Sequence, residues 1–85
     1  MNTESLLEFP CDFPIKVMGH HTDEFHATVV EIIARHTETT PLPGIRASRN
    51  NKYMALSFTI KASDREQLDA LYHELTASEL VLFVL

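Results

Sequence analysis

Strict alternation over one stretch constrains this chain more than any other feature in it. From Tyr53 to Ala62 (YMALSFTIKA), Met54, Leu56, Phe58 and Ile60 point to one side of an extended chain. Tyr53, Ala55, Ser57, Thr59 and Lys61 point to the other. Such a strand has one face in a core and one face open, so the chain must build a sheet that is covered on a single side. The cover is legible on both flanks. From about Asp23 to His36, the residues Phe25, Val29, Ile32, Ile33 and His36 recur at the spacing of one helix face. Thr22 is the expected N-cap there, and Asp23 and Glu24 suit the positive end of the helix dipole. From about Asp64 to Ala77, Leu68, Leu71, Tyr72 and Leu75 form a second stripe, opened by Ser63 and Glu66 in the S-x-x-E pattern of a capping box.

Three more strands complete the set. Phe13 to Met18 alternates Ile15 and Val17 with Lys16 and Met18, with Pro14 near its start and Gly19 ending it. Ile45 to Arg49 is a short strand joined to the long one by Asn50-Asn51, residues that tolerate the left-handed backbone of a tight hairpin. Leu80 to Leu85 is the last strand. The order is β-α-β-β-α-β, with both helical stripes buried on one sheet face. With right-handed crossovers, this predicts an α+β fold, a two-layer ferredoxin-like sandwich with antiparallel strand order 4-1-3-2. A chain of 85 residues has room for one such domain, residues 13–85, preceded by an N-terminal arm, residues 1–12. Leu6, Leu7 and Phe9 are expected to dock the arm on the domain.

The totals narrow the function classes. A net charge of −5 repels phosphate backbones and anionic bilayers, so neither a nucleic acid nor a membrane is an expected partner. The single cysteine, Cys11, cannot close a disulfide within the chain, which fits a reducing cytoplasm. The first residues have neither the basic start nor the apolar run of a leader. The longest apolar run, Leu80 to Leu85, is far short of the ~20 residues of a membrane helix. A cytoplasmic protein is expected.

The run LVLFVL breaks the alternation rule, because both of its faces are apolar on what should be an edge strand. Leu80, Val81, Leu82, Phe83, Val84 and Leu85 are therefore the candidate interface, for a homodimer or another protein, unless the N-terminal arm covers them. The turn Gly19, His20, His21 and Thr22 is a candidate ligand loop, since a helix N-terminus can receive a carboxylate; it also serves as a plain strand-to-helix connection. Arg46, Arg49 and Lys52 gather on the hairpin as a possible anion patch, or as charges that protect an edge. His20, His21, His26, His36 and His73 show no metal-ligand spacing, and Cys11 has no recognisable catalytic partner. No catalytic residue, metal site or cofactor is expected. An RNA-reading sheet would show aromatics along the open face of the long strand, where this chain has Ala55, Ser57 and Thr59 after Tyr53.

The run LLEFPCDFPIKVMG (Leu6 to Gly19) resembles the opening of the YbeD-like family of small bacterial proteins. VVEIIARH, YMALSFTI, LYHEL and the terminal VL continue the likeness to Leu85. The resemblance implies the same ferredoxin-like, ACT-resembling fold. It also implies a regulatory protein linked to lipoate metabolism, with no assigned catalytic residues. Sandwiches of the ACT type form an amino-acid pocket from the first strand-to-helix loop and the dimer interface, which makes a carboxylate or acyl sensor the alternative to a self-associating interaction domain.

Overall fold

A computed structural model describes residues 8–38 and 41–85, with β1 (Cys11–His20), α1 (Asp23–His36), β2 (Gly44–Ala47), β3 (Tyr53–Ala62), α2 (Arg65–Ala77) and β4 (Val81–Val84). The strands form one antiparallel sheet in the order β2-β3-β1-β4, which is the expected 4-1-3-2 counted from the other edge. Both helices bury their stripes against one sheet face. Phe25, Val29, Ile32 and Ile33 of α1 and Leu68, Leu71 and Leu75 of α2 meet Ile15, Val17, Leu56, Phe58 and Ile60. No buried side chain among the described residues is polar or charged, so the core is held by apolar packing alone.

The structure moves several boundaries. β1 begins at Cys11 rather than Phe13 and runs through Gly19 to His20, pairing with β3 along its whole length. The last two residues assigned to the arm therefore belong to the sheet. Leu6 and Leu7 lie outside the described residues, while Phe9 packs against the core. Pro14 is well inside β1 and still costs no ladder bond. Lys16 exchanges backbone bonds with Leu85, at 3.1 and 2.8 Å, so its N–H points away from β3. Pro14 has the same parity, and β4 pairing reaches no further along β1 than Lys16.

The hairpin is wider than the two-residue turn expected at Asn50-Asn51. β2 stops at Ala47 because Ser48 ties off the loop: its N–H donates to the Tyr53 carbonyl (2.8 Å), and its hydroxyl accepts from the Tyr53 N–H (3.0 Å). Arg49, assigned to the strand, is thus in the loop. Asn51 alone takes the left-handed conformation, at φ +59°.

α2 starts one residue later than the S-x-x-E reading. Asp64 is the N-cap and accepts from the Gln67 N–H at 2.8 Å, and Gln67 accepts in return from the Ser63 N–H at 2.5 Å. The Gln67 amide also donates to the His36 carbonyl (2.5 Å), tying the start of α2 to the end of α1. Glu74 completes this helix-to-helix seam by accepting from His36 Nε2 at 2.7 Å and pairing with Arg35.

Candidate functional site

The face of the sheet away from the helices is built by period-two geometry. β1 presents Asp12, Pro14, Lys16, Met18 and His20 there, and β3 presents Tyr53, Ala55, Ser57, Thr59 and Lys61 opposite them. Arg46 pairs with Ala55 and joins the same face. β4 adds more apolar surface than a four-residue strand normally shows on one side, and the cause is a register shift. Phe83 pairs with Met18 and Val81 with Gly19, so Leu82 is left opposite nothing. Val81 and Val84 pack against the core, while Leu82 and Phe83 line one groove with Met18, Gly19, Ser48 and Tyr53. Leu82 and Phe83 remain 48% and 47% exposed. A neighbouring groove, formed by Met18, Arg46, Tyr53 and Ala55, extends this surface toward β2.

The six residues expected at the interface therefore divide. Leu80 lies half-buried in the turn before β4, Val81 and Val84 face the core, and Leu82, Phe83 and the 66%-exposed Leu85 are presented outward. A further exposed apolar side chain, Leu42, sits with Pro14, Lys16 and Leu85 at the other end of the open face. Its loop position showed no periodicity that would have placed it there.

Gly19 has a packing role. A Cβ at this position would lie 2.3 Å from Phe25 Cε1 and 2.6 Å from the Leu80 carbonyl oxygen, so the glycine admits the α1 ring and the turn into β4. The backbone amides of the turn beyond it are already bonded. The His21 N–H donates to the Lys52 carbonyl (3.0 Å), that of Thr22 to the His20 carbonyl (2.9 Å), and that of Phe25 to Thr22 Oγ1 (3.0 Å). The open space next to Gly19 is the groove on the sheet face, rather than the helix N-terminus.

The hairpin cations stand at three stations. Arg46 flanks the groove on β2, Arg49 is in the loop, and the Lys52 ammonium lies 5.5 Å from the centroid of the Tyr53 ring. The opposite neighbour of Tyr53 is His20, with ring centroids 5.3 Å apart. The histidines do not converge: His20 is on the sheet, His36 is bonded to Glu74, and His73 is on α2. Among the described residues no three His, Cys, Asp or Glu side chains gather as a metal ion requires. Cys11 is half-buried against the core. Burial raises the Tyr72 phenol of α2 above its usual value of 10.0, and its ring meets that of Phe13 on β1 edge-on, with centroids 6.5 Å apart. No helix among the described residues is long and apolar enough to cross a membrane.

Residues 4–85 match the family described as a protein of unknown function, DUF493. The chain belongs to that family. UPF0250 proteins are similar to it along nearly the whole chain. That of Bordetella parapertussis is 43% identical over 84 residues, covering 96% of this chain and 92% of that protein. That of Nitrosomonas europaea is 42% identical over 88 residues, covering 100% of each. The YbeD-like resemblance is borne out by these relatives, whose names carry no activity. Among solved structures, the ACT domain from the GTP pyrophosphokinase of Chlorobium tepidum is similar in fold. The TM-score is 0.63, over 88% of this chain and 97% of that one, at 15% identity. The βαββαβ ferredoxin-like, ACT-resembling architecture is thereby shown, as a matter of fold.

Proposed function

We propose that this DUF493 chain is a non-enzymatic regulatory or interaction domain that acts by association, with β4 and the adjoining open face as its contact surface and a second copy as its partner at the β4 edge. The observation that carries the reading is Leu82 and Phe83: two large apolar side chains, each about half exposed, on an edge strand that bears no charge. Burying what remains exposed of each returns about 1 kcal/mol. The other edge, β2, is guarded by Arg46, whereas β4 is guarded only by its shortness and its register shift. Two β4 strands meeting antiparallel about a two-fold axis would continue the sheet from one copy into the next. Sedimentation at micromolar concentration tests this. A dimer that Leu82→Lys converts to monomer is expected, and a strict monomer in the unaltered chain refutes self-association.

A second reading is favoured by the groove beside Gly19, about 360 Å³ in volume and lined mainly by Met18, Tyr53, Leu82 and Phe83. That volume is within the ~300–1,000 Å³ of small-molecule sites, so a carboxylate or acyl ligand, lipoate-related or amino-acid, is the alternative occupant. Lipoate, octanoate and amino acids in a thermal-shift series are the test. A ligand that binds the folded chain must raise its melting temperature, and no shift at millimolar concentration rules the sensor out.

A further inference from the structure

The charges of this acidic chain are sorted by layer. The helical layer carries Asp23, Glu24, Glu31, Asp64, Glu66, Asp69 and Glu74, and its two arginines are spent on them: Arg35 on Glu31 and Glu74, Arg65 on Asp69. The open sheet face and its hairpin carry Lys16, Arg46, Arg49, Lys52 and Lys61 against one acid, Asp12, which Lys61 faces at 3.6 Å. Among the described residues, Lys16, Arg46, Arg49 and Lys52 form no ion pair, and all four are exposed. The apolar groove of Met18, Tyr53, Leu82 and Phe83 opens on this same basic face.

We propose that the open sheet face docks an acidic segment of a partner protein, whose apolar side chains enter the groove between Met18, Tyr53 and Phe83 while its carboxylates meet Lys16, Arg46 and Lys52. The proposal rests on the reading of the chain as an interaction domain and names the partner of the face rather than of the β4 edge. Charge complementarity selects the occupant. Two copies of the chain placed face to face would set Lys16, Arg46 and Lys52 against themselves, so the partner of this face is not its own duplicate. A nucleic acid would meet the basic face but be repelled by the acidic layer behind it. The groove walls of Met18 and Leu82 also suit aliphatic and aromatic side chains better than a row of stacked bases.

Selection of displayed random peptides on the immobilised full chain is the test, followed by chemical-shift mapping of the winners on the labelled protein. The expected winners are rich in Asp and Glu around Leu, Ile or Phe. They perturb Met18, Tyr53 and Phe83, and they lose about tenfold in affinity to the Lys16→Glu/Arg46→Glu chain. All of these positions are exposed or half-exposed, and a thermal melt confirms that each variant folds; Phe83→Ser provides a second, uncharged test of the same groove. Winners without acidic bias, or winners that bind the charge-reversed chain equally well, overturn the proposal. So does a short oligouridine RNA that perturbs the same residues more strongly than the peptides, or head-to-tail polymers of the chain that use its own helical layer as the acidic partner. Sedimentation reports on the β4 edge separately, so failure of peptide docking and failure of self-association are told apart.

Discussion

Replacing Gly19 by alanine probes a close approach between β1, α1 and the turn into β4. The added methyl would meet Phe25 Cε1 at 2.3 Å, Phe25 Cδ1 at 2.5 Å and the Leu80 carbonyl oxygen at 2.6 Å. Relaxed carbon contacts lie at ~3.5–4.0 Å, so more than an ångström must be found on the ring side and most of one on the carbonyl side, both at once. One side is a ring with no exposed surface, packed among Val29 and the other core residues; the other is the backbone that delivers β4 to β1. Overpacking of this kind costs about 1–3 kcal/mol, and the upper end applies because neither neighbour is a free side-chain tip. A domain of this size has roughly 4–13 kcal/mol of stability in total. A loss of about 3 kcal/mol lowers the melting temperature by roughly 12–24 °C. Urea titration and thermal melts followed by circular dichroism measure it. In the same background Phe25→Leu should return about 1 kcal/mol by giving the methyl room, a coupling that a double-mutant cycle resolves. A Gly19→Ala chain within about 0.5 kcal/mol of the parent, or no coupling to Phe25, would show that the glycine is not there for space.

Three further outcomes are expected. Asp64→Ala should cost about 1 kcal/mol and Ser63→Ala almost nothing, since Asp64 supplies the side-chain cap while Ser63 contributes only its N–H; urea midpoints distinguish the two. Glu74→Ala should cost about 1 kcal/mol, less in high salt, because one carboxylate serves both Arg35 and His36 across the helix seam. The Tyr72 phenol, raised by burial, gives up its proton in the unfolded chain before it does so in the folded one. Stability is therefore complete below pH 10 and falls as pH rises through the folded value. Tyr72→Phe should remove that alkaline loss, as seen in stability measured against pH.

The fold was legible where a pattern is local. α1 needs only Thr22, two acids and a stripe, and β3 needs only its own alternation, so both were found to the residue. The errors came where two local signals overlap or where a distant group decides. Ser63-Asp64-Arg65-Glu66-Gln67 contains two capping patterns in adjacent registers, and the packing of Leu68 and Leu71 selects the later one. Gly19 looked like a strand end because glycine usually is one, yet its reason is the Phe25 ring, which nothing in the neighbouring residues announces. In the candidate site, alternation correctly sent Lys16, Met18 and Tyr53 outward. It could not foresee that β4 would slip one residue at Met18/Gly19, nor that five cations would fall on one side of an acidic chain, because that sorting exists only once the layers are assembled.

The slip in β4 has an evolutionary consequence. Val81 and Val84 act as posts packed against the core, and the two positions between them face outward. Exchanging the side chains at 82 and 83 changes the surface that the sheet face presents while the posts keep the strand in place. If the proposed association holds, selection for recognition and selection for folding fall on different residues of one four-residue strand, and the contact surface can change without the fold first becoming more stable.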